Sequence, residues 1–136
     1  MVGYTEIFLR LILSVIAGGL IGLEREVVHK PAGIRTHMLV CLGSALFVLV
    51  AIETLPNEAA RIIAGIATGI GFLGAGLILK DGFNVRNLTT AASLWVAAGI
   101  GMAIGYGFFV IAIMAGIVSA VAPRLPDVHR HPREHP

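Results

Sequence analysis

The side chains able to do chemistry gather in three short segments. These are Glu24-Arg25-Glu26, Arg35-Thr36-His37, and a stretch carrying Asn84, Arg86, Asn87, Thr89, Thr90 and Ser93, with Asp81 just ahead of it. Carboxylates beside guanidinium groups, an imidazole and amides can hold a cation, a lipid headgroup or the polar face of another protein. They can equally satisfy one another and lock helix ends. Glu24 is the natural counter-charge in this set, with Arg35 and Arg86 as candidate partners. Mg²⁺ keeps several waters and needs only one or two carboxylates, so Glu24, Glu26 and Asp81 are numerous enough. Arg25, Arg35 and Arg86 would repel it, so no metal site is assigned.

Other chemistries find no footing. The sequence has no nucleophile–base pairing, no phosphate loop and no His-Glu-x-x-His helix. Gly69-Ile70-Gly71-Phe72-Leu73-Gly74 matches a dinucleotide-binding glycine pattern by letter, but no strand precedes it and its surroundings are apolar. His129, His131 and His135 lie in a loose tail without fixed geometry. The expectation is a non-enzymatic protein with no cofactor and no nucleic-acid partner.

The elements that must position the three segments are apolar helices. Five stretches, Ile7–Leu23, Ile34–Thr54, Ala59–Leu79, Leu88–Gly105 and Tyr106–Ala122, occupy 94 of the 136 residues. A bilayer core of about 30 Å takes about 17–25 helical residues to cross. Only helices or closed barrels satisfy their backbones there, and Ile62–Leu79 shows no alternation of the barrel kind. The composition is 57% hydrophobic and 13% charged, against about 25% charged in soluble domains. The predicted fold is an all-α bundle of five transmembrane spans over residues 1–123. Residues 124–136, rich in Pro, His and Arg, read as a disordered cytoplasmic tail. Cys41 is the single cysteine, so no intrachain disulfide forms.

Lysine and arginine favour the cytoplasmic side. Eight of the ten basic residues, Arg25, Lys30, Arg35, Lys80, Arg86, Arg124, Arg130 and Arg133, fall in segments that five spans place on one side. The predicted orientation is N-terminus outside and C-terminus in the cytoplasm. The three polar segments then meet in one layer beside the cytosol. Asn87 is the expected N-cap of the fourth span, its side chain accepting a backbone N–H. Arg10 either snorkels outward, the favoured reading, or pairs with Glu53. Trp95, in mid-span, is expected in buried packing.

Glycines fall four apart at Gly18/Gly22, Gly65/Gly69 and Gly101/Gly105, with Gly71 and Gly74 nearby. In lipid, helices associate through close approach over such residues. Gly18, Gly22, Gly65, Gly69, Gly71 and Gly74 are therefore expected at tight seams, within the chain or between two copies of a homodimer. A pore or gating helix at Gly69–Gly76 is the other reading.

Four motifs stand in order: Gly-Leu-Ile-Gly-Leu-Glu-Arg-Glu at 19–26, Ala-Gly-Ile-Arg-Thr-His at 32–37, Gly-Ile-Gly-Phe-Leu-Gly-Ala-Gly at 69–76, and Asn-Val-Arg-Asn-Leu-Thr-Thr-Ala-Ala-Ser-Leu-Trp at 84–95. Together they resemble the membrane domain of the MgtC/SapB family of bacterial inner-membrane proteins, over residues 7–122. The resemblance implies a plasma-membrane protein linked to growth in low magnesium and, in pathogens, to survival inside macrophages. It implies a regulator acting on membrane partners such as the proton-translocating ATP synthase. An oligomeric Mg²⁺ or H⁺ channel or transporter is the alternative. The resemblance also draws attention to Asn84, Arg86 and Glu24-Arg25-Glu26. Well-studied members continue into a soluble α+β domain that this sequence, ending soon after span 5, is expected to lack.

Overall fold

The computed structural model describes residues 2–81 and 84–125, with only the backbone described for residues 79–81 and 84. Five helices follow in order: α1 Tyr4–Val27, α2 Ile34–Thr54, α3 Ala59–Leu77, α4 Leu88–Tyr106 and α5 Phe109–Val121. The first four are long and apolar enough to cross a bilayer. α5 has 13 residues and continues as a 3₁₀ turn over Ala122–Arg124. At 1.5 Å per α-helical residue and about 2 Å per 3₁₀ residue it reaches about 25 Å. The all-α membrane bundle holds, with its last helix the shortest.

α4 lies at the centre, touching the other four helices, and α2 packs against α1, α3 and α4. Small residues set that arrangement. A Cβ on Gly18 would collide with the His37 carbonyl and lie 2.9 Å from the Cys41 Cβ, and one on Gly22 would lie 2.6 Å from the Ile34 Cα. On the other side of α2, a Cβ on Gly101 would strike the Cys41 backbone, and one on Gly105 would lie 2.8 Å from the Ala45 carbonyl oxygen. Backbone thus meets backbone along α1–α2 and α2–α4. The core left between them is small and apolar: Cys41, Ala45 and Val48 from α2, with Leu94, Ala97, Ala98, Ile100 and Ile104 from α4. Ser14, also buried, bonds back to the Leu11 carbonyl of its own helix.

α3 departs from the expected seams. Added Cβ atoms at Gly65, Gly69 and Gly71 meet nothing within 4 Å, and one at Gly74 makes ordinary contact with Ala91. Four-residue spacing puts small residues on one face, but a face becomes a seam only where a neighbour covers it. Among the described residues, that of Gly65 and Gly69 is uncovered. Trp95 is likewise 57% exposed rather than packed inside. On α4 its position turns away from the α2 interface that Leu94 and Ala98 occupy.

Helix ends fall where local chemistry puts them. α1 continues through Glu24–Val27 because nothing in that stretch breaks a helix, and stops where His29 adopts a positive φ of 53°. α4 ends in a Schellman motif: Gly107, at φ 89°, donates to Ile104, and Phe108 donates to Ala103. The helix therefore runs one residue past its expected end at Gly105. Between α3 and α4 lies the polar stretch that begins at Asp81. The backbone there forms a two-stranded antiparallel hairpin, β1 Leu79–Asp81 with β2 Asn84–Arg86, pairing Leu79 with Arg86.

Candidate functional site: a polar junction of helix ends

Three helix ends meet where the three polar segments are expected to form a layer. α1 brings its C-terminal turn, α2 and α4 their first turns. His37, fully buried on the first turn of α2, is the hub. Its Nδ1 lies 2.8 Å from the Gly33 carbonyl oxygen and its Nε2 lies 3.0 Å from Ser93 Oγ on α4. A carbonyl can only accept, so Nδ1 carries a proton. The Ser93 hydroxyl also lies 2.7 Å from the Thr90 carbonyl oxygen, one turn back on α4. The imidazole thereby joins the start of α2 to the start of α4.

Glu26 supplies the second link. Gly33 gives α2 no side-chain cap, and Glu26 Oε2, reaching across from α1, accepts the Ile34 N–H at 2.8 Å. A carboxylate there satisfies one of the free donors of a helix start and faces the positive end of its dipole. Asn87 makes the third link, differently from expectation. Held in the left-handed region at φ 65°, it makes no cap bond; its Nδ2 donates to the Leu77 carbonyl at 3.2 Å, tying the end of α3 to the start of α4.

The charge pairing is also redrawn. Glu24 accepts from Arg25 Nε, its own neighbour, rather than from Arg35 or Arg86. Arg35 and Arg86 are exposed at this end and form no ion pair among the described residues. Arg25 is only 3% exposed. Thr90 is fully buried with its Oγ1 unpartnered among the described residues, while Thr89 faces outward. The junction unites Glu24, Arg25, Glu26, His37, Asn87 and Thr90. The Asn84 side chain and residues 126–136, including the tail histidines, lie outside the described residues. No three His, Cys, Asp or Glu side chains among the described residues cluster closely enough to hold a metal ion.

The opposite end holds a residue whose role the sequence did not give. Arg10 neither snorkels nor pairs with Glu53, which instead accepts the Val2 N–H at 2.6 Å. Arg10 is 7% exposed. Its Nη1 donates to the Gly105 carbonyl at 2.7 Å, its Nη2 bonds Glu6, and its guanidinium sits 5.9 Å above the Phe109 ring. A cation at the carbonyl end of α4 meets the negative end of the dipole. α1 therefore caps two neighbours with opposite charges, Arg10 at the end of α4 and Glu26 at the start of α2. The available signal was an arginine inside an apolar span with Glu6 one turn before it; its carbonyl partner lies 95 residues away.

A model described as the MgtC family matches residues 11–129. Protein MgtC of Salmonella typhimurium strain LT2 is 48% identical over 110 residues, covering 81% of this chain and 48% of that protein. The "Putative magnesium transporter YhiD" of Escherichia coli K12 is 43% identical over 123 residues, covering 84% of this chain and 57% of that protein. The chain spans about half the length of these relatives. No solved structure matches.

Proposed function

The chain belongs to the MgtC family, and from that premise we propose that it serves magnesium homeostasis as a non-enzymatic regulator acting through membrane partners. The magnesium link is supported by the name of the relative YhiD. The regulatory reading rests on one observation, the seal between the two polar ends of the bundle. Between Arg10 and His37 the α1–α2–α4 seam is closed by Cys41, Ala45, Val48, Leu94, Ala97 and Ala98, all at most 2% exposed. Polar groups at each end bond to helix termini rather than forming a continuous path. Such a bundle presents a fixed polar junction at one membrane face, suited to contact with another membrane protein.

A transporter is the second reading, favoured by α3. A cleft of about 700 Å³ runs between α2 and α3, with Arg35 among its lining residues and Gly43, Gly65 and Gly69 along its walls. A second copy packed there would build a path that one chain does not. Two measurements separate the readings. Purified protein in liposomes should pass no Mg²⁺ or H⁺, whereas the chain should restore growth at limiting Mg²⁺ to a strain that depends on it. Restoration should fail for Glu24→Ala or His37→Ala at equal membrane levels. Ion flux from the purified protein alone would overturn the regulator in favour of the transporter.

A further inference from the structure

A second cleft, of about 720 Å³, runs between α1, α4 and α5, and its chemistry changes along its length. From Leu13 to Ile21 on α1, and past Ile100 and Ile113 on the facing helices, the walls are aliphatic. At the other end they carry Glu24, Arg25, Thr89 and Ser93. Leu13 to Arg25 is 12 residues, about 18 Å of helix. One leaflet of a hydrocarbon core about 30 Å thick is about 15 Å deep. The cleft is therefore one acyl chain deep, with its polar mouth at the helix ends where headgroups lie. α5, one wall of the cleft, buries only Ala112 against the rest of the bundle.

Arg25 supplies the second observation. A guanidinium has five N–H donors, and at Arg25 the bond to Glu24 uses Nε. The four Nη donors have no acceptor among the described residues, although the residue is 97% shielded and lines the mouth of the cleft. We propose that this groove binds one anionic phospholipid, with one of its two acyl chains against α1, α4 and α5 and its phosphate on the Arg25 guanidinium. The planar fork of arginine matches phosphate oxygens, and Thr89 stands at the same mouth. The inference does not depend on whether the protein regulates or transports.

Native mass spectrometry of the full chain in detergent tests it, with phosphatidylglycerol and phosphatidylethanolamine of identical chains as probes. The wild type should retain phosphatidylglycerol about fivefold or more over phosphatidylethanolamine. Arg25→Gln should erase that preference, Arg25→Lys should keep part of it, and Ile113→Trp should reduce retention of both lipids. Because Arg25→Gln also removes the pair with Glu24, a photoreactive acyl chain on phosphatidylglycerol gives an independent reading in the wild type. It should label Ile100 and Ile113. Equal retention of the two lipids, or labelling centred on the α2–α3 cleft, would overturn the proposal. So would displacement of the lipid by inorganic phosphate, or a polypeptide crosslinked along the groove in native membranes.

Discussion

Arg10 and Arg25 sit on one helix, 15 residues apart, and are both nearly inaccessible, yet their surroundings differ. Fifteen residues turn the helix through about 60° beyond four full turns and separate the two by about 22 Å, so both look toward α4. Arg10 meets the carbonyl end of α4, where a free C=O and a negative dipole end await it, and Phe109 covers its guanidinium. Arg25 meets the amino end of the same helix, which offers no acceptor to a cation, and its one described bond is to its neighbour Glu24. Both arginines keep unused donors, Arg10 at its buried Nε and Arg25 at its Nη atoms, but helix polarity gives only the first an acceptor on the facing helix end. Buried charge is structural where the facing helix end complements it and available for a ligand where it does not.

The largest effect would come from breaking the frame both ends share. Gly101→Leu forces α4 off the Cys41 backbone and should cost about 3 kcal/mol, read by denaturant titration in mixed micelles. Arg10→Met should cost about 2–3 kcal/mol, because it strips charge-assisted bonds and strands the Gly105 carbonyl. Arg25→Met should cost about 1 kcal/mol or less in the same assay, since its pair with partly exposed Glu24 contributes little. Equal losses at Arg10 and Arg25 would erase the distinction. Smallest and opposite in sign, Gly65→Ala should raise stability by up to about 1 kcal/mol through helix propensity on an open face. A loss there in membranes, absent in dilute micelles, would reveal a second copy packed on α3.

The spans were legible because hydropathy is a property of each segment alone, and the polar junction because its three polar segments are separated by no crossing or by two, which returns them to one side. What escaped depended on pairs. Gly18/Gly22 and Gly65/Gly69 carry the same spacing, but only the first faces a neighbour. Asn87 is a good capping residue by type, yet its left-handed backbone turns its amide to Leu77. The 79–86 hairpin has three-residue strands, too short for any periodicity. Arg10 looked like a snorkelling residue because its acceptor belongs to the far end of α4. Ser93 was visible in the polar run, but its selection over Thr89 follows only from which face of α4 meets His37.

The abrupt Schellman stop at Gly107 has a reach beyond the turn itself. It starts α5 late, and the following 3₁₀ turn at Pro123 ends it early, so this flank of the bundle is about 5 Å shorter than a hydrocarbon core about 30 Å thick. Lipids beside it must compress or tilt, at a fraction of a kcal/mol per ångström of mismatch. Shortening the surrounding fatty acids should therefore relieve the mismatch on one side of the bundle only.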